Sequence, residues 1–187
     1  MNLERYYMIK NENLKLIIPT IEYEKEIQNF RQEFIKYGGS MDGCLSLRKM
    51  ENISEWIKQV EDFSALETCP KGFVPQTQFI CLREADNKIV GVIQIRHYLN
   101  EFLGQYGGHI GYSVCSSERK KGYATFMLRE ILPICKELGL GKILITCLKD
   151  NEASKRVIIN NGGIYESTVY EPTEKVSLER YWIDLSD

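Results

Sequence analysis

The chain has 187 residues, 43% of them hydrophobic and 27% charged, the balance of a soluble globular protein built as one domain around one core. A formal net charge of −2 gives the surface as a whole no attraction for nucleic acid or anionic membrane, so any anion site must be local. No apolar run approaches the roughly 18 residues that span a bilayer, and "MNLERYYMIKNENLK" carries charges where a secretion signal has its apolar core, so a cytoplasmic location is expected.

In chain order, "LKLIIPT" (14–20) reads as a strand closed by Pro19. Over 21–37 the residues Ile27, Phe30 and Phe34 recur at helical spacing, and Gly38-Gly39 ends the helix. "YGGSMDGCLSL" is a loop, and Ile53, Trp56, Ile57, Val60 and Phe63 mark a second amphipathic helix. "TQFICLRE", the turn "ADNK" and "IVGVIQIRHYL" form a hairpin. After a glycine-bearing loop over 99–108, "HIGYSV" is another strand. A helix follows on Ala124, Met127, Leu128, Ile131, Leu132, Cys135 and Leu138, and Gly139 stops it. Pro133 lies inside this helix and should kink it. "KILITCL" is a buried strand, "DNEASKRVIINNGG" a helix capped by Asp150 or Asn151, and "IYESTVYE" with "VSLERYWIDL" a closing hairpin. The expected fold is α/β (α+β): a mixed, mostly antiparallel sheet of about six to seven strands with about four helices.

Six cysteines (Cys44, Cys69, Cys81, Cys115, Cys135, Cys147) and two histidines (His97, His109) never approach the paired spacing of a structural zinc site. Cys81, Cys115, Cys135 and Cys147 sit among apolar neighbours, as small hydrophobes do, so neither metal nor disulfide is expected.

"SSERKKGYATFML" (116–128) raises the functional question. Arg119, Lys120 and Lys121 run into Gly122, and a helix begins at once. A helix mouth carries unpaired N–H groups and partial positive charge, and glycine lets a ligand approach the backbone. The turn is therefore either a seat for a diphosphate or a solvated charged loop. It matches neither the P-loop nor the G-x-G-x-x-G fingerprint, which disfavours a nucleoside triphosphate or NAD.

"RKKGYA" (119–124) resembles the acetyl-CoA pyrophosphate motif Q/R-x-x-G-x-G/A of the GNAT N-acetyltransferase superfamily. "GYSVCSSERKKGYATFMLREIL", the following strand and "DNEASKRVIINNGG" are similar to that superfamily's strand-turn-helix-strand-helix half, with Asn151 and Ser154 in the N-x-x-S position. "IRHYLN…GGHIGYSV" further resembles a bacterial subgroup of predicted acetyltransferases. The resemblance covers most of 14–185, leaving residues 1–12 as an extension of a single N-acetyltransferase domain.

The resemblance implies a V-shaped splay between the fourth and fifth strands, "HIGYSV" and "KILITCL", which receives acetyl-CoA as co-substrate without a metal. Val114, Cys115 and Ser116 would hold the pantetheine arm through their backbone. Arg119, Lys120, Lys121, Gly122, Tyr123, Ala124 and Thr125 would hold the pyrophosphate, with Asn151 and Ser154 opposite. The acceptor would be an amine of a small molecule or peptide, on a monomer or homodimer.

Direct transfer needs an unprotonated amine, a stabilised oxyanion and a leaving thiolate. His109 is the candidate general base, placed where some members of the superfamily carry a glutamate, and His97 is a second choice. Where many relatives have a tyrosine to protonate the thiolate, this chain has Ile158; Tyr123 and Tyr165 lie near in sequence but not at that position. That departure keeps open a second function, a CoA-binding regulatory module without turnover. Glu33, Asp42 and Glu84 are acidic candidates for gripping an amine, and Trp56 and Trp182 are expected in the core.

Overall fold

The computed structural model describes residues 9–11 and 13–186. Twelve regular elements follow one another: β1 (Ile9–Asn11), β2 (Leu14–Ile17), α1 (Glu24–Tyr37), α2 (Ile53–Asp62), β3 (Gln76–Arg83), β4 (Lys88–Arg96), β5 (Ile110–Val114), α3 (Tyr123–Glu137), β6 (Lys142–Leu148), α4 (Glu152–Asn160), β7 (Ile164–Glu171) and β8 (Val176–Asp184). Of the expected N-terminal extension, residues 1–8 and 12 lie outside the described residues, and Ile9–Asn11 add a short strand to the edge of β2.

The strands form two antiparallel sheets, β1-β2-β3-β4-β5 and β6-β8-β7, which part between β5 and β6. This is where the resemblance implied a splay. The larger sheet is covered on both faces. Phe79, Cys81, Ile93 and Ile95 pack with Met127, Leu128 and Ile131 of α3 on one side. Ile80, Leu82 and Val92 pack with Phe30, Phe34, Trp56 and Val60 of α1 and α2 on the other. That burial on both faces explains why β3 and β4 read as continuous apolar runs rather than alternating ones.

Capping is local and legible. Asn52 accepts the Ser54 N–H at 3.0 Å to open α2, and Asn151 accepts the Ser154 N–H at 3.1 Å to open α4. Helix α3 runs through Pro133, which lies on the exposed face four residues after an equally exposed Arg129. The carbonyl released by proline therefore meets solvent rather than core.

The segment 99–108, expected as a plain loop, contains a wide π-type turn, Leu103–Gly107. Such a turn leaves carbonyls unpaired along the chain. Arg180 donates to Gly104 O and Gln105 O (2.6 and 2.7 Å), Arg96 to Gly107 O and Gly108 O (both 3.0 Å), and Thr146 to Tyr106 O (2.7 Å). Arg96 of the larger sheet and Thr146 and Arg180 of the smaller one thus hold this turn between the two sheets.

Candidate functional site

The basic turn leaves β5 through a single 3-10 turn, Ser116–Glu118, and enters α3 by way of Lys120 (φ +63°) and Gly122 (φ +85°). A Cβ built on Gly122 would meet nothing within 4 Å, so the face of the turn is open. The helix's first bond is Phe126 N–H to Gly122 O at 3.0 Å. The N–H groups of Tyr123, Ala124 and Thr125 therefore have no acceptor within the helix and project from its mouth, together with the positive end of its dipole.

Beneath the turn lies a carboxylate that sequence reading missed. Glu118 is buried and accepts from Arg83 (2.8 Å), Lys121 (2.8 Å) and Lys88 (3.1 Å). Arg83, opposed by burial and then aided by Lys121 and Lys88, holds its carboxyl down at about 2. Glu33 of α1 accepts the N–H and hydroxyl of Ser117 at 2.9 and 2.8 Å. Burial works to raise the Glu33 carboxyl, but Ser117 and Lys88 outweigh it and bring it below its ordinary range. The three cations consequently differ: Lys121 is tied inward, while Arg119 and Lys120 make no ion pair among the described residues. Arg119 rests its Nε on Val114 O at 3.4 Å.

The edge of β5 that faces the splay follows from its register with β4. Arg96 N–H bonds His109 O and Cys115 N–H bonds Val90 O, so the odd-numbered residues of this stretch spend their backbone on β4. The backbone groups of Tyr112 and Val114 point the other way, into the splay. Cys115, expected to share in holding the pantetheine arm, spends its N–H on Val90 O at 3.0 Å and has a wholly buried side chain. Ser116 sits just past the strand in the 3-10 turn.

On the opposite wall Asn151 caps α4 and Ser154 lies in its first turn. The phenol of Tyr112 crosses the splay to reach Ser154 Oγ at 2.7 Å. Burial, outweighing the Ser154 bond, pushes the Tyr112 hydroxyl well above its ordinary value. Ile158, one helical turn beyond Ser154, has no exposed surface. Neither nearby tyrosine substitutes for it, since Tyr123 Oη accepts from Arg83 at 2.9 Å and Tyr165 pairs with Thr168 at 2.9 Å on the surface.

His109 closes the apex of the splay. Its N–H donates to Leu144 O at 2.7 Å, and its Nδ1 accepts the Leu144 N–H at 2.9 Å. Burial, with Arg96 nearby, depresses its pKa to about 4. A neutral imidazole accepting at Nδ1 carries its proton at Nε2. Its basic lone pair is already taken, and the arrangement is that of a clasp between the two sheets. His97 is likewise engaged, Nε2 to Thr77 Oγ1 at 2.8 Å.

Of the acidic candidates, Glu33 serves the turn and Glu84 pairs with Lys15, whereas Asp42 is exposed on the loop between α1 and α2. That loop lies on β5: Ser113 Oγ donates to Asp42 O at 2.9 Å, and a Cβ on Gly43 would fall 2.1 Å from Gly111 O. The charge of Asp42 reaches both Arg96 and Tyr112. Trp56 is in the core, donating to Cys44 O at 2.8 Å, but Trp182 is half-buried and bonds Glu166 at 2.8 Å. Tyr112 and Glu118 had weak sequence signals; the alternation of a strand shows which residues share a face but not what they meet.

The acetyltransferase (GNAT) domain family matches residues 20–164. No curated protein matches the chain. Among solved structures, the ribosomal-protein-S5-alanine acetyltransferase from Vibrio fischeri is similar at a TM-score of 0.75 and 14% identity, covering 96% of this chain and 97% of that one. The RimL ribosomal L7/L12 alpha-N-protein acetyltransferase in complex with CoA gives 0.69 at 17%, covering 95% and 97%. The microcin C7 self-immunity acetyltransferase MccE in complex with acetyl-CoA and AMP gives 0.67 at 19%, covering 94% of each.

Proposed function

This chain belongs to the GNAT acetyltransferase family, and from that premise we propose that it transfers the acetyl group of acetyl-CoA directly to a primary amine of a small molecule or peptide. The observation that carries this reading is the open mouth of α3, with three unpaired N–H groups behind a Gly122 that a Cβ would leave uncrowded. A diphosphate suits that mouth, with Arg119 and Lys120 as its free cations. Similar structures that hold acetyl-CoA or CoA support the donor, and two that act on ribosomal proteins support a peptide amine among the possible acceptors.

Acetyl-CoA supplies an activated thioester when bound. The chain supplies the rest. The inward-facing backbone of Val114 extends the sheet toward the pantetheine arm, and Asn151 offers its amide from the other wall. His109 keeps the two sheets joined at the apex, so that the splay has a fixed width, and the amine gives its proton to solvent rather than to the occupied Nδ1. Asp42, exposed above Gly111, attracts a cationic acceptor.

Calorimetry with acetyl-CoA tests the first half, and thiol release in the presence of polyamines, amino acids, aminoglycosides and peptides tests the second. Micromolar binding with acetylation of one of these amines is the expected result. Binding without acetylation of any of them would favour the second reading, a regulatory module, which the buried Ile158 supports because an isoleucine offers no proton to a leaving thiolate. No binding at all would end both.

A further inference from the structure

The splay contains a phenol that the sequence pattern marks only weakly. Tyr112 leaves β5, passes across the gap and places its hydroxyl 2.7 Å from Ser154 Oγ and 3.4 Å from Ser154 O. Ser154 and position 158 are four residues apart on α4, hence neighbours on one helical face. The hydroxyl of Tyr112 therefore reaches the same face, one turn from the place where Ile158 leaves a donor missing. It arrives from the opposite wall.

We propose that Tyr112 is the hydrogen-bond donor to the departing sulfur of CoA, filling from β5 the role that the side chain at position 158 does not fill in this chain. The inference rests on the acetyl-CoA reading above. In the step, the amine nitrogen bonds to the thioester carbon, the C–S bond breaks and sulfur keeps both electrons. The amine proton leaves to solvent, and the thiolate is stabilised by the Tyr112 O–H until solvent protonates it on release. No proton need leave the phenol for good.

Two features fit Tyr112 for this. Its surroundings, chiefly burial with Cys147 and Asp42 nearby, keep the phenol protonated at neutral pH and so keep it a donor. Its partner is a hydroxyl, which can reverse direction: Ser154 Oγ–H can turn to donate to the phenol oxygen, freeing the phenol's own hydrogen for sulfur. Donation from Ser154 also strengthens the hydrogen that Tyr112 gives.

The test needs no acceptor. With CoA itself as probe, the ultraviolet absorbance of the bound thiolate is followed against pH in the wild-type protein, in Tyr112→Phe and in Ser154→Ala. A hydrogen bond to a charged sulfur lowers its thiol pKa, so the bound thiol should titrate roughly one to two pH units higher in Tyr112→Phe than in wild type. Ser154→Ala should shift it the same way by less, because it removes only the group that polarises the phenol. Equal thiol titration in wild type and both variants, with CoA bound, overturns the role of Tyr112 and leaves the proposed function standing. Failure of the wild-type protein to bind CoA removes both. A titration unchanged in Tyr112→Phe but raised in Ser154→Ala would give the sulfur to the Ser154 hydroxyl instead and overturn the role of Tyr112.

Discussion

Lys121 Nζ lies 2.8 Å from Glu118 Oε2, so one of the three cations in the basic turn is turned inward by its own neighbour. Glu118 is in turn gripped by Arg83 and Lys88, and the pair belongs to the scaffold under the turn. Arg119→Ala should therefore weaken acetyl-CoA binding by about 10- to 100-fold, the loss expected for one charge-assisted hydrogen bond. Lys121→Ala should weaken it much less while lowering the melting temperature. Calorimetry and thermal melts on the two variants separate these effects, and equal losses of affinity would contradict the division.

Glu118 also sets an acid limit. Its carboxyl is held at about 2 in the folded chain, against about 4.3 when unfolded. A depressed carboxylate contributes stability that is present above its unfolded value and is lost as pH falls toward its folded value. The contribution, at most about 3 kcal/mol by linkage, should therefore disappear between about pH 4.5 and 2. In Glu118→Gln it should be missing at neutral pH, and the acid limb of the stability curve should flatten in that window.

His109 acts in a different window with the same sign. Its folded pKa of about 4 lies below the ordinary value near 6.5, so the unfolded chain binds the proton more readily. Stability from the neutral ring is complete above about pH 6.5 and drains away as pH falls toward 4. His109→Asn can still accept the Leu144 N–H but does not titrate, so its stability should be nearly flat between pH 6.5 and 5 where the wild type declines. His109→Ala leaves that buried N–H without a partner and should cost about 1–3 kcal/mol at all pH values. Urea melts at a series of pH values read both outcomes.

Gly43 sits in left-handed geometry (φ +73°) with its missing Cβ 2.1 Å from Gly111 O and 2.3 Å from Gly111 C. Both neighbours are backbone and cannot step aside. Gly43→Ala should lower stability by at least about 2 kcal/mol and lift the Asp42 loop from β5. Gly39→Ala is the contrast: its φ is also positive (+96°), but its only close neighbour is the Arg119 guanidinium at 3.1 Å, the end of a flexible side chain. Its cost should be about 1–2 kcal/mol. Denaturant melts compare the two directly.

Most elements of the fold were legible because their signals are local. The i, i+3, i+7 spacing of Ile27, Phe30 and Phe34 needs only two helix turns to be read, and the cap at Asn151 acts within three residues. Gly122 ahead of an apolar helix marked the start of α3 for the same reason. The π-type turn at Leu103–Gly107 was not legible, because its carbonyls are satisfied by Arg96, Thr146 and Arg180, which the chain brings from both sides. Nor was the β4-facing backbone of Cys115, which depends on the register of β5 against β4.

By itself, then, the sequence determined the order and type of the elements and where a helix mouth would meet three cations, since periodicity, capping and turn chemistry act over a few residues. Tertiary structure alone decided which groups face one another: Glu33 on Ser117 across 84 residues, Tyr112 on Ser154 across 42 and Leu144 on His109 across 35. Hydrogen bonds act over about 3 Å. A histidine clasps two sheets, and a strand tyrosine meets a helix serine, only when folding has brought those partners within that reach.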